Sequence, residues 1–173
     1  MEFFRVTSVN DEKFNTAMEL YKVSFPKHEQ REEKSQKKIL SDIEYHFDTV
    51  FDGEIFVGMI LYWETEEFIY VEHFCINTEL RNNGYGKRIL EKINQKGKCV
   101  ILEIDPPIDE ISIRRKGFYE RVGYKENSYS HIHPPYHTKN SGHKLTVMSY
   151  PNPLKDTEYN NFKEYLDNTV MAD

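Results

Sequence analysis

The chain is short of cysteine, of positive charge and of long apolar runs, and each shortage argues against a class of function. Cys75 and Cys99 are the only cysteines; they stand far apart in no metal-binding or redox spacing, which suits a reducing compartment. Acidic residues outnumber basic ones, 29 to 23, and the formal charge of −6 argues against a general nucleic-acid binder. No apolar run approaches the roughly 20 residues that span a bilayer, so no membrane partner is expected. The opening Met1-Glu2-Phe3-Phe4-Arg5 lacks the charged and apolar regions of a signal peptide. A cytoplasmic location is the expectation.

The chain is rich in aromatics and in alternating elements. Its 173 residues hold 12 Tyr and 11 Phe, enough for a packed core in one domain. Phe3 to Val6 reads as a first strand. Phe14, Met18, Leu20 and Tyr21 recur at helical spacing over Asp11 to Phe25, and Pro26 stops that helix. A more polar helix is expected over Glu32 to Tyr45, with Ile39, Leu40 and Ile43 turned inward. His46 to Phe51 and Glu54 to Trp63 pair through the turn Asp52-Gly53. Phe68 to Ile76 is the next strand, Gly84 to Gln95 a helix and Cys99 to Ile104 a buried strand. Glu110 to Val122 is a helix closed by Gly123. Tyr124 to Tyr129 and Lys144 to Ser149 are the last strands. Asp156 to Asn168 is a terminal helix with Phe162, Tyr165 and Leu166 on one face. No internal repeat or linker divides the chain.

Between the strand ending at Ile76 and the following helix lies Arg81-Asn82-Asn83-Gly84-Tyr85-Gly86-Lys87. Glycines let a backbone approach a ligand closely, and the first N–H groups of a helix have no internal partner. With the positive end of the helix dipole, they make a cradle for phosphate. The spacing is neither that of a P-loop nor that of a dinucleotide fingerprint. It resembles the Arg/Gln-x-x-Gly-x-Gly/Ala loop of the GNAT N-acetyltransferase superfamily, which binds the pyrophosphate of acetyl-coenzyme A. Phe118-Tyr119-Glu120-Arg121-Val122-Gly123-Tyr124 resembles a second segment of the same superfamily, in the expected order.

The resemblance, with the element order, implies an α/β (α+β) fold. A single GNAT-like domain would carry a central mixed, mostly antiparallel sheet of six to seven strands, flanked by helices. Residues 1–150 would form the acetyltransferase domain, and 151–173 a C-terminal helical extension packed on it or on a partner. The cosubstrate implied is acetyl-coenzyme A, with no metal, held by Phe74, Cys75 and Ile76, the loop Arg81, Asn82, Asn83, Gly84, Tyr85, Gly86 and Lys87, and Ser112, Arg115 and Phe118. Ser112 stands where many members carry Asn. Backbone N–H groups near Phe74 to Ile76 are expected to face the oxyanion. Tyr119 matches the position whose phenol protonates the leaving thiolate.

The base is open between three side chains. Glu72 lies on the strand lining the cleft; Glu103 is a carboxylate inside the apolar run Val100 to Ile104; His73 has a suitable unperturbed pKa. Glu72 and His73 are neighbours on a strand, so only one of them should face the cleft. On the acceptor side, Glu29 is a candidate for a substrate ammonium, Arg31 for a carboxylate and Tyr136 for the lining. His131-Ile132-His133 would put two imidazoles on one strand face, but Pro134 and Pro135 follow and no further ligand completes a metal site. The expected partner is a small-molecule amine, bound by a monomer or homodimer. The other reading is a catalytically inert acyl-coenzyme A binding module.

Overall fold

The computed structural model describes residues 1–172 as one mixed sheet with helices on both faces. In chain order the elements are β1 (Glu2–Arg5), α1 (Glu12–Ser24), α2 (Glu33–Ile39), β2 (Tyr45–Asp52), β3 (Ile55–Glu64), β4 (Phe68–Ile76), α3 (Tyr85–Asn94), β5 (Cys99–Ile104), α4 (Glu110–Arg121), β6 (Lys125–Glu126), β7 (His131–His133), β8 (His143–Tyr150) and α5 (Asp156–Tyr165), which runs on as a π-turn over Leu166–Val170. The sheet order is β1-β2-β3-β4-β5-β8-β6, with β7 also paired to β8. Only β4 and β5 are parallel.

Alternation along the strands divides the core in two. Phe47, Leu61, Trp63, Tyr70 and Ile101 pack against α1, α2 and the C-terminal residues Phe162, Leu166 and Val170. Ile60, Tyr62, Val71, Val100 and Leu102 pack against Ile89, Leu90 and Ile93 of α3 and, through Phe118 and Tyr119, against α4. Burying both faces needs the apolar density that these strands carry.

Two expected elements are shorter than their patterns suggested. The second helix stops at Ile39, and Tyr45 already belongs to β2. The Asp42 carboxylate accepts from the Glu44 N–H, and Arg5 donates to the carbonyls of Asp42, Ile43 and Tyr45, so this stretch is tied to β1. Ile43, expected inside, is 85% exposed. The strand expected over Tyr124 to Tyr129 is regular only at Lys125–Glu126 and pairing with β8 resumes at His131, which raises the count to eight. In the gap, the Asn127 side chain donates to Val147 O and Ser149 Oγ and accepts from the Leu154 N–H. No helix among the described residues is long and apolar enough to cross a membrane.

Candidate active site

The β4–β5 ladder stops early, and the site begins there. Phe68 to Val71 pair with Cys99 to Leu102, and beyond them the strands part. On the β5 side, the backbone of Phe74 to Ile76 therefore has no ladder partner. A cleft of about 980 Å³ opens at the gap. It is a size suited to a sizeable ligand.

One end of the cleft is the loop after β4. Asn82 and Gly84 take positive φ, 65° and 77°, and swing the chain into the start of α3. The first intrahelical bond runs from the Arg88 N–H to Gly84 O, which leaves the N–H groups of Tyr85, Gly86 and Lys87 free of helical partners. The two glycines act differently. A Cβ on Gly84 would meet nothing within 4 Å, so this residue borders open cleft; a Cβ on Gly86 would come 3.1 Å from Phe118 Cζ. Gly86 thus lets α3 close against Phe118. Arg81, Asn82, Tyr85 and Lys87 also line the cleft. Asn83 turns back instead, donating to the carbonyls of Leu80 and Arg81.

From α4, Phe118 and Tyr119 line the middle of the cleft. No described residue hydrogen-bonds the Tyr119 hydroxyl. Burial pushes its phenol up to about 12, against the opposing pull of Arg115, so it is protonated at neutral pH. Arg115 itself faces Asp105 at 2.8 Å. Ser112, expected to touch the cosubstrate, does not reach the cleft. It is 4% exposed and caps α4: its N–H donates to Asp109 Oδ1 at 2.7 Å, and its hydroxyl accepts from the Asp109 N–H.

Glu72 and Glu103 are the first residues past the end of the ladder, one on each parting strand. A β-bulge places Glu72 opposite no residue of β3, since Leu61 pairs with His73 and Tyr62 with Val71. The bulge turns both Glu72 and His73 to the α1 face, so the expected alternation fails here. The Glu72 carboxylate is saturated. Oε1 accepts from Arg31 Nη2 (2.9 Å), Arg31 Nε and the Tyr136 hydroxyl (2.9 Å), and Oε2 accepts from Trp63 Nε1 (2.8 Å). Burial alone would raise this carboxyl, but Arg31, then His73, Trp63 and Tyr136, bring it down to about 2. That placement does not fit a base, which needs a free lone pair and a pKa near the working pH. Arg31 is likewise spent within the fold. It is 6% exposed and also donates to Ser35 Oγ and Val170 O, so it ties β4 to the C-terminal turn and holds no substrate carboxylate.

Glu103 is engaged in the same way. It accepts from the Tyr70 hydroxyl at 2.6 Å and pairs with His131 Nε2. Burial would raise it, but His133, His131 and Tyr70 outweigh burial and hold it below the usual range. The other nitrogen of His131, Nδ1, meets the Tyr159 hydroxyl at 2.9 Å. His133, two residues on, is different. Its Nδ1 faces Pro134 O at 2.6 Å, and its Nε2 is buried with no hydrogen-bond partner among the described residues, 3.9 Å from Glu103 Oε2. Among the described residues no three His, Cys, Asp or Glu are arranged to hold a metal ion.

The far end of the cleft is lined by Glu29, His73, His133, Tyr136 and His143. Burial, and secondarily Asp105, raise the Glu29 carboxyl. His73 Nε2 lies 2.8 Å from Glu29 O, and burial lowers the pKa of this imidazole. Sequence reasoning missed Trp63, Tyr70, Ser35 and His133 as parts of this region. The signal available for His133 was the His-x-His spacing, which was weighed only as a metal pair and set aside.

The family model described as "Acetyltransferase (GNAT) domain" matches residues 9–133. The Bacillus subtilis (strain 168) protein named "Putative acetyltransferase YjbC" is 29% identical over 107 residues, 58% of this chain; the match spans about half, 52%, of that protein. The solved structure named "Putative acetyltransferase from GNAT family from Bacteroides thetaiotaomicron" has a TM-score of 0.93 at 31% identity, covering 100% of this chain and 99% of that one. An aminoglycoside 6'-N-acetyltransferase solved with coenzyme A shares the fold, with a TM-score of 0.60 at 14% identity over 90% of this chain and 100% of that one.

Proposed function

The chain belongs to the GNAT acetyltransferase family, an acyltransferase family, and from that premise we propose that it moves the acetyl group of acetyl-coenzyme A to a primary amine of a small molecule. One observation carries the reading: a single cleft joins the free N–H groups at the start of α3 to an unpartnered phenol and to unpaired strand backbone. The α3 end and Arg81 and Lys87 hold the pyrophosphate. The unpaired backbone of Phe74 to Ile76 donates to the thioester carbonyl oxygen, whose charge grows as the amine attacks. Tyr119 gives its proton to the departing sulfur. Glu72 and Arg31 position β4 rather than react. Residues 1–150 carry this chemistry. The extension 151–173 supports it, through Val170 O on Arg31 and Tyr159 on His131.

The test is thiol release from acetyl-coenzyme A by the full chain across a panel of amines: lysine, spermidine, tyramine, glucosamine and kanamycin. Turnover with any of them supports the enzyme. Tight cosubstrate binding with no turnover on the panel would leave an inert binding module instead.

A further inference from the structure

His131 and His133 sit two residues apart on β7, both buried, both facing Glu103, yet only one has a free nitrogen. His131 uses Nε2 on Glu103 and Nδ1 on Tyr159. His133 is only 3% exposed, and its ring lines the cleft beside Tyr136, 5.0 Å between ring centres. The 2.6 Å contact to Pro134 O settles its tautomer, because a carbonyl only accepts; Nδ1 therefore carries the proton. In the neutral ring Nε2 is then a bare lone pair. No described residue donates to it. A buried polar atom left unpaired is costly and calls for a reason.

We infer that His133 accepts the amine proton during acetyl transfer, with Glu103 beside the accepting nitrogen steadying the imidazolium. The inference rests on the acetyltransferase reading above. As the amine nitrogen bonds to the thioester carbon, the carbonyl electron pair moves to oxygen and an N–H proton passes to His133 Nε2, directly or through one water. Collapse of the intermediate breaks the carbon–sulfur bond, and the thiolate takes the Tyr119 proton. His133 then loses its proton to solvent and Tyr119 regains one, leaving the amide and free coenzyme A. Glu103 Oε2, 3.9 Å from Nε2, supplies the negative charge that the imidazolium needs. Glu72 has no such opening, because four donors already occupy it. The other groups facing His133 are His131 on its own strand, His73 on β4, His143 on β8 and Tyr136. His73 Nδ1 and His143 Nε2 are also buried without a hydrogen-bond partner among the described residues, but His73 faces Glu72, whose charge Arg31 already engages, and His143 forms no ion pair with a described carboxylate.

The test compares wild type, His133→Gln and His133→Ala with the best amine of the panel above. His133→Gln should lower kcat/KM by about a hundred- to ten-thousandfold, the range of general base assistance, with coenzyme A affinity kept. The acidic limb of its pH profile should vanish. Imidazole added to His133→Ala should restore part of the rate. In histidine-¹⁵N-labelled wild type, neutral His133 should carry its proton on Nδ1. Four results would overturn the inference: kcat/KM kept with an unchanged limb, a proton on Nε2, a larger loss in His73→Gln or His143→Gln, or coenzyme A binding lost in both His133 variants. An inactive wild type is a separate result, which would sink the acetyltransferase reading itself and the inference with it.

Discussion

The two ends of the cleft are built on opposite plans. The loop end is local and open. Seven consecutive residues make it, the N–H groups of Tyr85, Gly86 and Lys87 have no helical partners, and Gly84 borders empty space. The far end is backed by Arg31, Trp63, Glu72, Glu103, His131 and Tyr136, which come together from four strands and two loops and satisfy one another's polar groups. A site that only has to present N–H groups to an anion can be written in one short segment. One that buries two carboxylates needs partners for each, and those partners come from wherever the fold delivers them.

The largest effect expected at the junction of the two ends is on chemistry without binding. Tyr119→Phe removes one hydroxyl that no described residue uses. Turnover should fall by about a hundred- to ten-thousandfold, while acetyl-coenzyme A affinity and melting temperature hold. Steady-state kinetics beside calorimetry would show it; equal losses in turnover and affinity would blur the division between the ends.

At the far end the cost should appear as stability. Glu72→Gln leaves Arg31 buried without its counter-charge, and breaking a buried pair from one side costs about 3–5 kcal/mol. Denaturant unfolding would measure it. The same carboxylate sets an acid dependence. Its folded pKa of about 2 lies below the ordinary 4.5, so its contribution is complete above about pH 4.5 and is lost as pH falls toward 2. The variant should lack that loss. Its acidic limb of kcat/KM should stay where wild type has it; a shifted limb would return Glu72 to the role of base.

A smaller effect separates capping from binding. Ser112→Ala should cost about 1 kcal/mol of stability through the α4 cap and leave coenzyme A affinity alone. Weakened binding with full stability would put Ser112 back in the cleft.

The same division explains what could be read from the residues in order. The Gly84 turn and the α4 stop at Gly123 each depend on a few neighbours, and each lies where its local pattern put it; the β2–β3 hairpin forms as expected, but its turn falls one residue later, at Gly53-Glu54, because Asp52 still pairs with Ile55. The bulge at Glu72 leaves no local trace, so the facing of Glu72 and His73 was misjudged. Arg31 and Glu72 are 41 residues apart, and Glu103 and His131 are 28 apart. No spacing rule links such pairs, so a charged loop residue passed for a substrate contact. Ile43 kept a helical rhythm, but Arg5 held its backbone in another shape.

The most direct test is a calorimetric titration of acetyl-coenzyme A into Gly84→Val beside wild type. A side chain there must take a φ of 77° and project into the open end of the cleft. The account predicts affinity weakened by at least about tenfold, or about 1.4 kcal/mol, in a protein that still folds. Unchanged affinity in a folded Gly84→Val protein would contradict the placement of acetyl-coenzyme A at this loop.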